Sequence, residues 1–373
     1  MFLAFLNHYD IRPVDAQYLW VFYCMLHKFD NKDITYIINE DYKKQYTPQE
    51  RWEMQPEIAK KQFYIPPAIL DFDKIKHIIG DKITISDNPS KNLRHYIKQQ
   101  ISEIIGLPEP DFCNVKAGLT WVNNKTFEDK CKKYNIPVIH NEFATLRTPI
   151  YKDTFYFDFK GVNGNTEFNK RFEIFKNSIN SSLLLSVEEL IHLVTKPEFV
   201  NKLIEIYKNK SKRKYACGIP MQVANDTNVI AFSNGWSNID LITYSIKKYG
   251  RKNTLLRNHP GCVLKATDRP CDKFDEGYCF EFLDNVDHVT TINSSVGFEA
   301  VLLGKTVEYL GESPFNIANH LSSEDLLYFL NFAIVSYIVP IKYLFNKDYY
   351  IYRLECFDEK ELFTSGLENW KNA

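Results

Sequence analysis

The sequence predicts an α/β protein built from two doubly wound domains with a ligand-binding cleft between them. Three observations support this prediction. The chain has 373 residues, which suits two domains of roughly 150–200 residues better than one. Strand-like and helix-like stretches alternate in each half, which is typical of a parallel sheet with helices on both faces. A helical region that ends in a basic run separates the two halves.

The first half alternates short β-rich stretches with amphipathic ones. We predict strands at Phe2–Leu6, Ile34–Ile38, Lys82–Ser86, Leu119–Val122 and Pro137–His140. The stretches between them predict helices at Val14–Lys28, Pro48–Gln62, Leu93–Ile105 and Phe127–Tyr134. This order of elements predicts the first parallel sheet.

The second half repeats the alternation after a helical region at Val187–Tyr207. Predicted strands are Tyr215–Val223, Asn253–Arg257, Val289–Ile292 and Thr306–Leu310, and predicted helices are Ser237–Tyr249 and Val296–Leu303. We therefore expect an N-terminal domain at 1–200, a C-terminal domain at 201–340 and a helical tail at 341–373. In such folds ligands bind at the carboxyl ends of the strands, which here face the expected cleft.

Composition narrows the class of partner. The chain has 46 basic and 47 acidic residues, so its net charge of −1 gives no overall field to attract nucleic acid. The basic run Lys208–Lys214 favours a solvated linker, with contact to a membrane surface as the alternative. The 8 cysteines contain no CxxC pair and indicate reduced thiols in a cytoplasmic protein.

Two apolar stretches are candidates for a targeting or membrane segment. The amino terminus lacks a basic region and reaches Asp10 early, so it predicts a buried strand and not a signal peptide. The run Leu326–Ile341 is shorter than the roughly 20 residues that cross a bilayer and predicts a buried helix. We expect a cytoplasmic protein, with peripheral association at the cytoplasmic face of the inner membrane left open.

The most informative motif follows the predicted strand Val289–Ile292. Ser294 and Ser295 come at the strand end, and Gly297 lies in the first turn of the next helix. Free backbone N–H groups and hydroxyls at such a helix start can hold a phosphate. Glu299, one turn further, could accept hydrogen bonds from ribose hydroxyls. The alternative is a serine cap with an exposed glutamate.

A second motif ends the predicted strand Asn253–Arg257. His259 is followed by Pro260, which restricts its backbone to extended geometry, and His259 could donate to a phosphate. Arg257 lies two residues earlier, on the same face of the strand, and could bind a second negative group. A histidine that only caps a turn is the alternative.

A third motif overlaps the end of the predicted strand Tyr215–Val223 and the loop after it, and it contains Gln222, Asn225 and Asp226. Asp226 is the only acidic residue between Lys208 and Asp240. A carboxylate at a strand end is a candidate nucleophile or base, although Asn-Asp-Thr-Asn is also a common turn sequence.

Taken in order, these motifs resemble those of the capsule-polysaccharide β-Kdo transferases and their O-antigen relatives. The resemblance covers roughly residues 215–316. A weaker match is Asn141-Glu-Phe-Ala-Thr-Leu-Arg147, in which Ala144 replaces the glycine of the family's Glu-x-Gly-Phe-x-Arg segment. The matching segments are Gln222-Val-x-x-Asp226, His259-Pro260, Ser294-Ser-Val-Gly-Phe-Glu-Ala300 with Gly304, and Gly311-x-x-Pro314-Phe315.

The resemblance implies a GT-B-like fold of two Rossmann-like domains and a glycosyltransferase that moves Kdo from CMP-β-Kdo to a glycan or glycolipid acceptor with retention. Asp226 matches the family's nucleophile, and Glu142 and Arg147 match further catalytic positions. No metal or other cofactor is expected. The residues expected to bind the donor are Gln222, Asn225, Arg257, His259, Pro260, Ser294, Ser295, Gly297 and Glu299.

Other readings stay open at the level of sequence. The donor could be another CMP-sugar or a nucleoside-diphosphate sugar, or the chain could be a catalytically silent polysaccharide-assembly subunit. Asp71-Phe-Asp73 has the Asp-x-Asp form that binds a divalent cation in other sugar transferases, but its place before a helix favours a surface cap.

Overall fold

A computed structural model describes residues 1–6, 16–38, 72–79, 114–121, 123–209, 213–224, 226–259, 271–274 and 277–373. It divides the chain into two compact units. Unit 1 contains residues 1–142, 157–162 and 342–357, and unit 2 contains residues 143–156, 163–341 and 358–373. These limits differ from the predicted ranges 1–200, 201–340 and 341–373, because much of the first half packs with the second.

Five parallel strands of unit 1 are neighbours in a seven-stranded sheet, in the order β5-β4-β1-β2-β3. Strand β1 is completely buried, as expected for a strand covered on both faces of a parallel sheet. The strands are β1 (Phe2–Phe5), β2 (Ile34–Ile38), β3 (His77–Ile79), β4 (Ala117–Thr120) and β5 (Val138–Phe143). The predicted elements at 48–62, 82–86 and 93–105 lie outside the described residues.

Unit 2 contains a parallel sheet with the order β11-β10-β7-β8-β9. The strands β6 (Thr154–Asp158) and β12 (Ile338–Pro340) pair with each other in antiparallel orientation. The strands of the parallel sheet are β7 (Tyr215–Pro220), β8 (Thr254–Arg257), β9 (Asp272–Phe274), β10 (Val286–Thr291) and β11 (Thr306–Tyr309). The predicted α/β class is therefore confirmed, with parallel strands in each unit.

Helices follow most strands in the described part of the chain. The side chain of Ser237 accepts a hydrogen bond from the Asp240 N–H, and Asp240 returns one, so this capping box sets the start of α7. The helices are α1 (Ala16–Lys28), α2 (Lys125–Lys133), α3 (Phe168–Ser178), α4 (Val187–Val194), α5 (Pro197–Lys208), α6 (Thr227–Phe232), α7 (Asn238–Tyr249), α8 (Cys279–Asp284), α9 (Val296–Leu302), α10 (Ser323–Asn331), α11 (Lys347–Glu355) and α12 (Glu359–Lys371).

The apolar run Leu326–Ile341 is buried from Phe329 to Pro340, but it is not one helix. Helix α10 ends at Asn331, a π-helical segment continues from Phe332 to Tyr337, and β12 follows. Pro340 lacks a backbone N–H, so the run could not have continued as a regular helix to its end. Within the described residues, no helix is both long and apolar enough to span a bilayer.

The predicted helical tail forms two helices in different units. Helix α11 belongs to unit 1, and all of α12 belongs to unit 2. Helix α12 is held by a buried ion pair in which Arg171 Nε lies 2.6 Å from Glu359 Oε1 and Arg171 Nη2 lies 3.1 Å from Glu359 Oε2. The indole N–H of Trp370 also donates to the Ile334 carbonyl at 2.8 Å.

Candidate active site

The candidate site lies at the carboxyl ends of β7, β8 and β10 in unit 2. In a parallel sheet these ends share one edge, so loops that are far apart in sequence meet there. The loop after β7 carries Asp226, the loop after β8 carries His259, and the loop after β10 carries Ser294 and Ser295. Asn225 and Pro260, which were predicted to bind the donor, lie outside the described residues.

Asp226 is half-buried and caps helix α6. Its Oδ1 accepts a hydrogen bond from the Asn228 N–H at 2.8 Å, which fixes the orientation of the carboxylate. The cap explains the presence of an aspartate in structural terms, and it also holds a negative charge at the strand end.

Gln222 is 8% exposed and uses its side chain within the protein. Its Nε2 donates to Asn293 Oδ1 at 2.8 Å, and the Asn293 N–H donates to Gln222 Oε1 at 3.1 Å. Asn293 Nδ2 in turn donates to Asn228 Oδ1 at 3.1 Å. This amide network joins the loop that carries Asp226 to the loop that carries Ser294, so Gln222 positions the site.

His259 lies two residues beyond the end of β8, where its side chain is partly exposed and partly covered, and three charged side chains act on it. Partial burial lowers the pKa of His259, and the positive charges of Arg257 and Arg147 lower it further, while Asp226 opposes them. These effects require all three side chains to be near the imidazole. The structure therefore brings together four of the predicted residues: Arg147, Asp226, Arg257 and His259.

Arg147 reaches this group from the turn that joins β5 and β6. Its Nε donates to the Ala144 carbonyl at 2.7 Å, and its guanidinium lies 5.7 Å from the centre of the Phe143 ring. The turn belongs to unit 2, although the segment was predicted within the N-terminal domain. Glu142, the other predicted residue of this segment, is half-buried on β5 and belongs to unit 1.

Ser294 and Ser295 are half-buried at the start of α9. The Ser294 hydroxyl accepts from the Val296 N–H at 3.3 Å, whereas Ser295 makes no side-chain capping bond. Gly297 packs against Tyr309, where a Cβ atom would come within 2.5 Å of the Tyr309 ring. This close contact accounts for the glycine without a ligand.

Glu299 is buried in α9, with 7% exposure. The alternative interpretation of the sequence, an exposed glutamate, is therefore wrong. Burial raises the pKa of Glu299 to about 7, although Arg257, Cys279, Tyr151 and Arg147 each lower it. The Tyr151 hydroxyl is buried beside this carboxyl group, without a hydrogen bond of standard geometry to the described residues. Glu299 is therefore close to a balance of protonated and ionised forms at neutral pH.

Several residues that build the site are not among those predicted from the sequence. Asn293 is next to Ser294, and Asn228 is two residues after Asp226. Their amide side chains were only a weak indication of a hydrogen-bond network. Tyr151 and Cys279 gave none, because each lies on a different segment from Glu299, and Tyr151 is more than 100 residues away in sequence.

The Asp71-Phe-Asp73 segment gives a different result. Asp71 lies outside the described residues, and Asp73 is exposed on the short 3₁₀ turn Phe72–Lys74. Among the residues that the structure describes, no cluster of three or more His, Cys, Asp or Glu side chains is arranged to hold a metal ion.

Two family models match separate parts of the chain. The model of the Glycosyltransferase 99 family N-terminal domain matches residues 4–167, which include Glu142 and Arg147. The model of the capsule polysaccharide biosynthesis protein family matches residues 274–326, which include Ser294 and Glu299. Most of the first half is thus similar to a glycosyltransferase family, and part of the second half is similar to capsule polysaccharide biosynthesis proteins. The resemblance predicted from the motifs is confirmed at this level.

Individual proteins are similar to the chain at low sequence identity or over a short segment. Two solved structures of Thermosulfurimonas dismutans KpsC are similar to the chain. Its β-Kdo 2,7 transferase is 17% identical, with a TM-score of 0.43 and coverage of 80% of this chain and 93% of that one. Its β-Kdo 2,4 transferase is 15% identical, with a TM-score of 0.42 and coverage of 66% and 90%. Protein FixF of Sinorhizobium fredii is 32% identical over 108 residues, which span 26% of this chain and 27% of FixF.

Proposed function

We propose that the chain is a retaining glycosyltransferase that moves Kdo from CMP-β-Kdo to a glycan acceptor, with Asp226 as the nucleophile. One observation carries the proposal. Asp226, Arg257 and Arg147 come from three separate segments, and the charges of all three act on His259 beyond the carboxyl end of β8. Such a strand end is where doubly wound folds bind nucleotides.

The charges fit the chemistry of a CMP-Kdo donor. This donor carries two negative groups, a phosphate and the carboxylate of the sugar. Arg257 and Arg147 supply two fixed positive charges, and His259 can donate a hydrogen bond to the phosphate. Loss of CMP increases the negative charge on the leaving phosphate, and these donors stabilise it in the transition state.

Asp226 supplies the opposite charge where the sugar needs it. The anomeric carbon gains positive charge as the bond to CMP breaks, and a carboxylate held in place by the Asn228 N–H can stabilise or capture it. Capture gives a Kdo ester on Asp226 with release of CMP. The acceptor hydroxyl then displaces the aspartate and loses its proton, and two inversions give retention.

Glu299 is proposed to bind the ribose hydroxyls in its ionised form. Ribose would have to reach a side chain that is 7% exposed, so this assignment requires local opening around α9. We expect no metal or other cofactor, because fixed cationic side chains face the leaving group. We also propose a cytoplasmic location, with peripheral association at the inner membrane as a further part of the proposal.

The decisive experiment uses CMP-Kdo with a set of short glycan acceptors. NMR spectroscopy of the product should show a β-Kdo linkage. A rapid quench without acceptor should add the mass of one Kdo unit to the peptide that contains Asp226. An α-linked product would contradict retention, whereas a β-linked product without the adduct would leave Asp226 as a stabilising charge only.

A nucleotide panel separates this proposal from its alternatives. CMP should raise the unfolding temperature more than uridine or guanosine nucleotides do, because binding to the folded state stabilises it. A larger shift with another nucleotide would indicate a different donor. No shift with any nucleotide would favour a catalytically silent assembly subunit.

A further inference from the structure

The side chain of Asn293 lies between two parts of the segment that follows β7. Asn293 is 4% exposed and stands two residues after β10, directly before Ser294. Its Oδ1 accepts from Gln222 Nε2 at 2.8 Å, and its Nδ2 donates to the carbonyl and to Oδ1 of Asn228 at 3.2 and 3.1 Å. The Asn293 amide therefore uses both its acceptor and its donor within the protein.

Gln222 is fixed independently of Asn293. Its backbone N–H donates to Asn238 Oδ1 at 3.1 Å, and its carbonyl accepts from Asn238 Nδ2 at 2.7 Å. Asn238 is the first residue of α7, so a helix of 12 residues anchors Gln222. One end of the Asn293 amide is thus bound to a fixed point, which sets the position of the other end.

The other end of the Asn293 amide reaches Asp226 through a single residue. The Asn228 N–H donates to Asp226 Oδ1 at 2.8 Å, while the carbonyl and side-chain oxygens of Asn228 accept from Asn293. The orientation of the Asp226 carboxylate therefore depends on where Asn228 is held.

Helix α6, which contains Asn228, is too short to hold this residue by itself. The helix has 6 residues, and isolated helices of fewer than about 12 residues are marginal in water. Contacts from outside the helix must therefore hold it. At its far end the Phe232 carbonyl accepts from the Glu312 N–H at 2.8 Å, and at its near end Asn293 binds Asn228.

We propose that Asn293 is a positioning residue for the nucleophile: it holds Asn228 so that the Asn228 N–H keeps the Asp226 carboxylate aligned for attack on the donor sugar. This inference rests on the proposed transferase function. Alignment of reacting atoms contributes strongly to rate, and a displacement of about 1 Å can cost about a hundredfold. Because Asn293 directly precedes Ser294, it also fixes the nucleophile relative to the proposed phosphate contact.

The test isolates the first chemical step by supplying CMP-β-Kdo without an acceptor. A carboxylate oxygen of Asp226 forms a bond to the anomeric carbon, the bond from that carbon to the phosphate oxygen breaks, and CMP leaves with the electron pair. Rapid-quench measurement of the CMP released in the first turnover gives the rate of this step. Calorimetry with CMP gives the nucleotide affinity of the same samples.

Asn293→Ala should slow the release of CMP about tenfold to a hundredfold, because the carboxylate loses its alignment. CMP affinity should change by no more than about threefold, since the Asn293 N–H still donates to Gln222 Oε1 and holds the loop that carries Ser294. Asn331→Ala is the matched control and should release CMP at the wild-type rate. Asn331 is also a buried asparagine of unit 2, and its amide binds the backbone of Leu185 and Leu327.

The decisive readout is the energetic coupling between Asn293 and Asp226. Asn293→Ala should leave the residual rate of Asp226→Asn unchanged, because that variant has no charge to align, so the two losses should not add. A residue that only supports the fold would slow both backgrounds equally. Asn228→Ala removes one acceptor of the Asn293 amide from a half-buried residue. It should fold normally and slow the step about threefold only when Asp226 is present, so it decides the question if Asn293→Ala is unstable.

Three outcomes would overturn the positioning role. They are wild-type rates in both Asn293→Ala and Asn228→Ala, equal losses in the wild-type and Asp226→Asn backgrounds, and a loss in Asn331→Ala as large as that in Asn293→Ala. If Asp226→Asn is itself slow, these outcomes reject the positioning role and leave the proposed function intact. Full activity in Asp226→Asn, or no release of CMP by the wild type, rejects the proposed function and this inference with it.

Discussion

Two carboxyl groups of unit 2 lie in contrasting regions of the candidate site. Asp226 is half-buried in the loop after β7, where the Asn228 N–H binds it. Glu299 lies in the interior, where burial raises its pKa to about 7. The contrast shows how environment separates the roles of similar groups. The strand-end region can present a fixed charge to a reacting sugar, and the interior region can change its charge near neutral pH.

The largest effect should come from the strand-end region. Asp226→Asn keeps the shape of the side chain and its capping bond but removes the negative charge. Turnover should fall on the order of a thousandfold, with CMP affinity nearly unchanged, since the charge acts on the transition state. Steady-state kinetics and CMP calorimetry measure the two quantities. Full activity in this variant would remove Asp226 from the reaction.

A smaller effect is expected for the proposed phosphate contacts at the same edge. His259→Ala and Ser295→Ala should each weaken CMP binding about ten- to a hundredfold, because each loses a hydrogen bond to a charged group. Ser237→Ala serves as a control, since it removes a hydroxyl that only caps α7. If both site variants bound CMP as tightly as the wild type, neither side chain would belong to the phosphate site.

The interior region should respond in a ligand-specific way. Glu299→Gln should weaken CMP about tenfold while leaving inorganic phosphate unaffected, because the carboxylate is assigned to the ribose. Equal losses for CMP and phosphate would make Glu299 a structural residue.

The same variant also tests the protonation of Glu299. Its folded-state pKa of about 7 lies above the ordinary value of 4.5, so the folded state favours the protonated form. The stability from this group is fully present below pH 4.5 and is lost as the pH rises through 7. Glu299→Gln should remove that part of the pH dependence in urea unfolding between pH 4.5 and 7.5. An unchanged dependence would contradict a raised pKa.

The smallest effect concerns Tyr151. Its hydroxyl lowers the pKa of Glu299, so Tyr151→Phe should raise that pKa and move the pH midpoint of CMP binding upwards. Near pH 7 this should weaken CMP about threefold, since the ionised fraction falls. Tyr36→Phe, which removes a buried hydroxyl of unit 1, should leave the midpoint unchanged. A midpoint that does not move in Tyr151→Phe would separate Tyr151 from Glu299.

Local signals in the sequence predicted most described elements close to their observed limits. Strand β2 has its predicted limits, Ile34–Ile38. The prediction succeeded because β-branched and aromatic residues, which make up this run, are enriched in strands. Helix α7 was predicted from Ser237 and begins after it, because capping depends on residues three apart. Asp226, His259 and Ser294 were predicted as site residues because each follows a predicted strand. The carboxyl ends of parallel strands meet at one edge of a sheet.

The sequence by itself thus determined the α/β class, the motif order and the resemblance to capsule-type glycosyltransferases. Only the tertiary structure decided which unit each segment joins. It placed Arg147 with His259 and buried Glu299 against Tyr151. The physical reason is that burial and pairing depend on contacts between residues far apart in the chain. Hydrophobic periodicity indicates which face of a helix or strand is apolar, but it does not indicate which other element packs against that face.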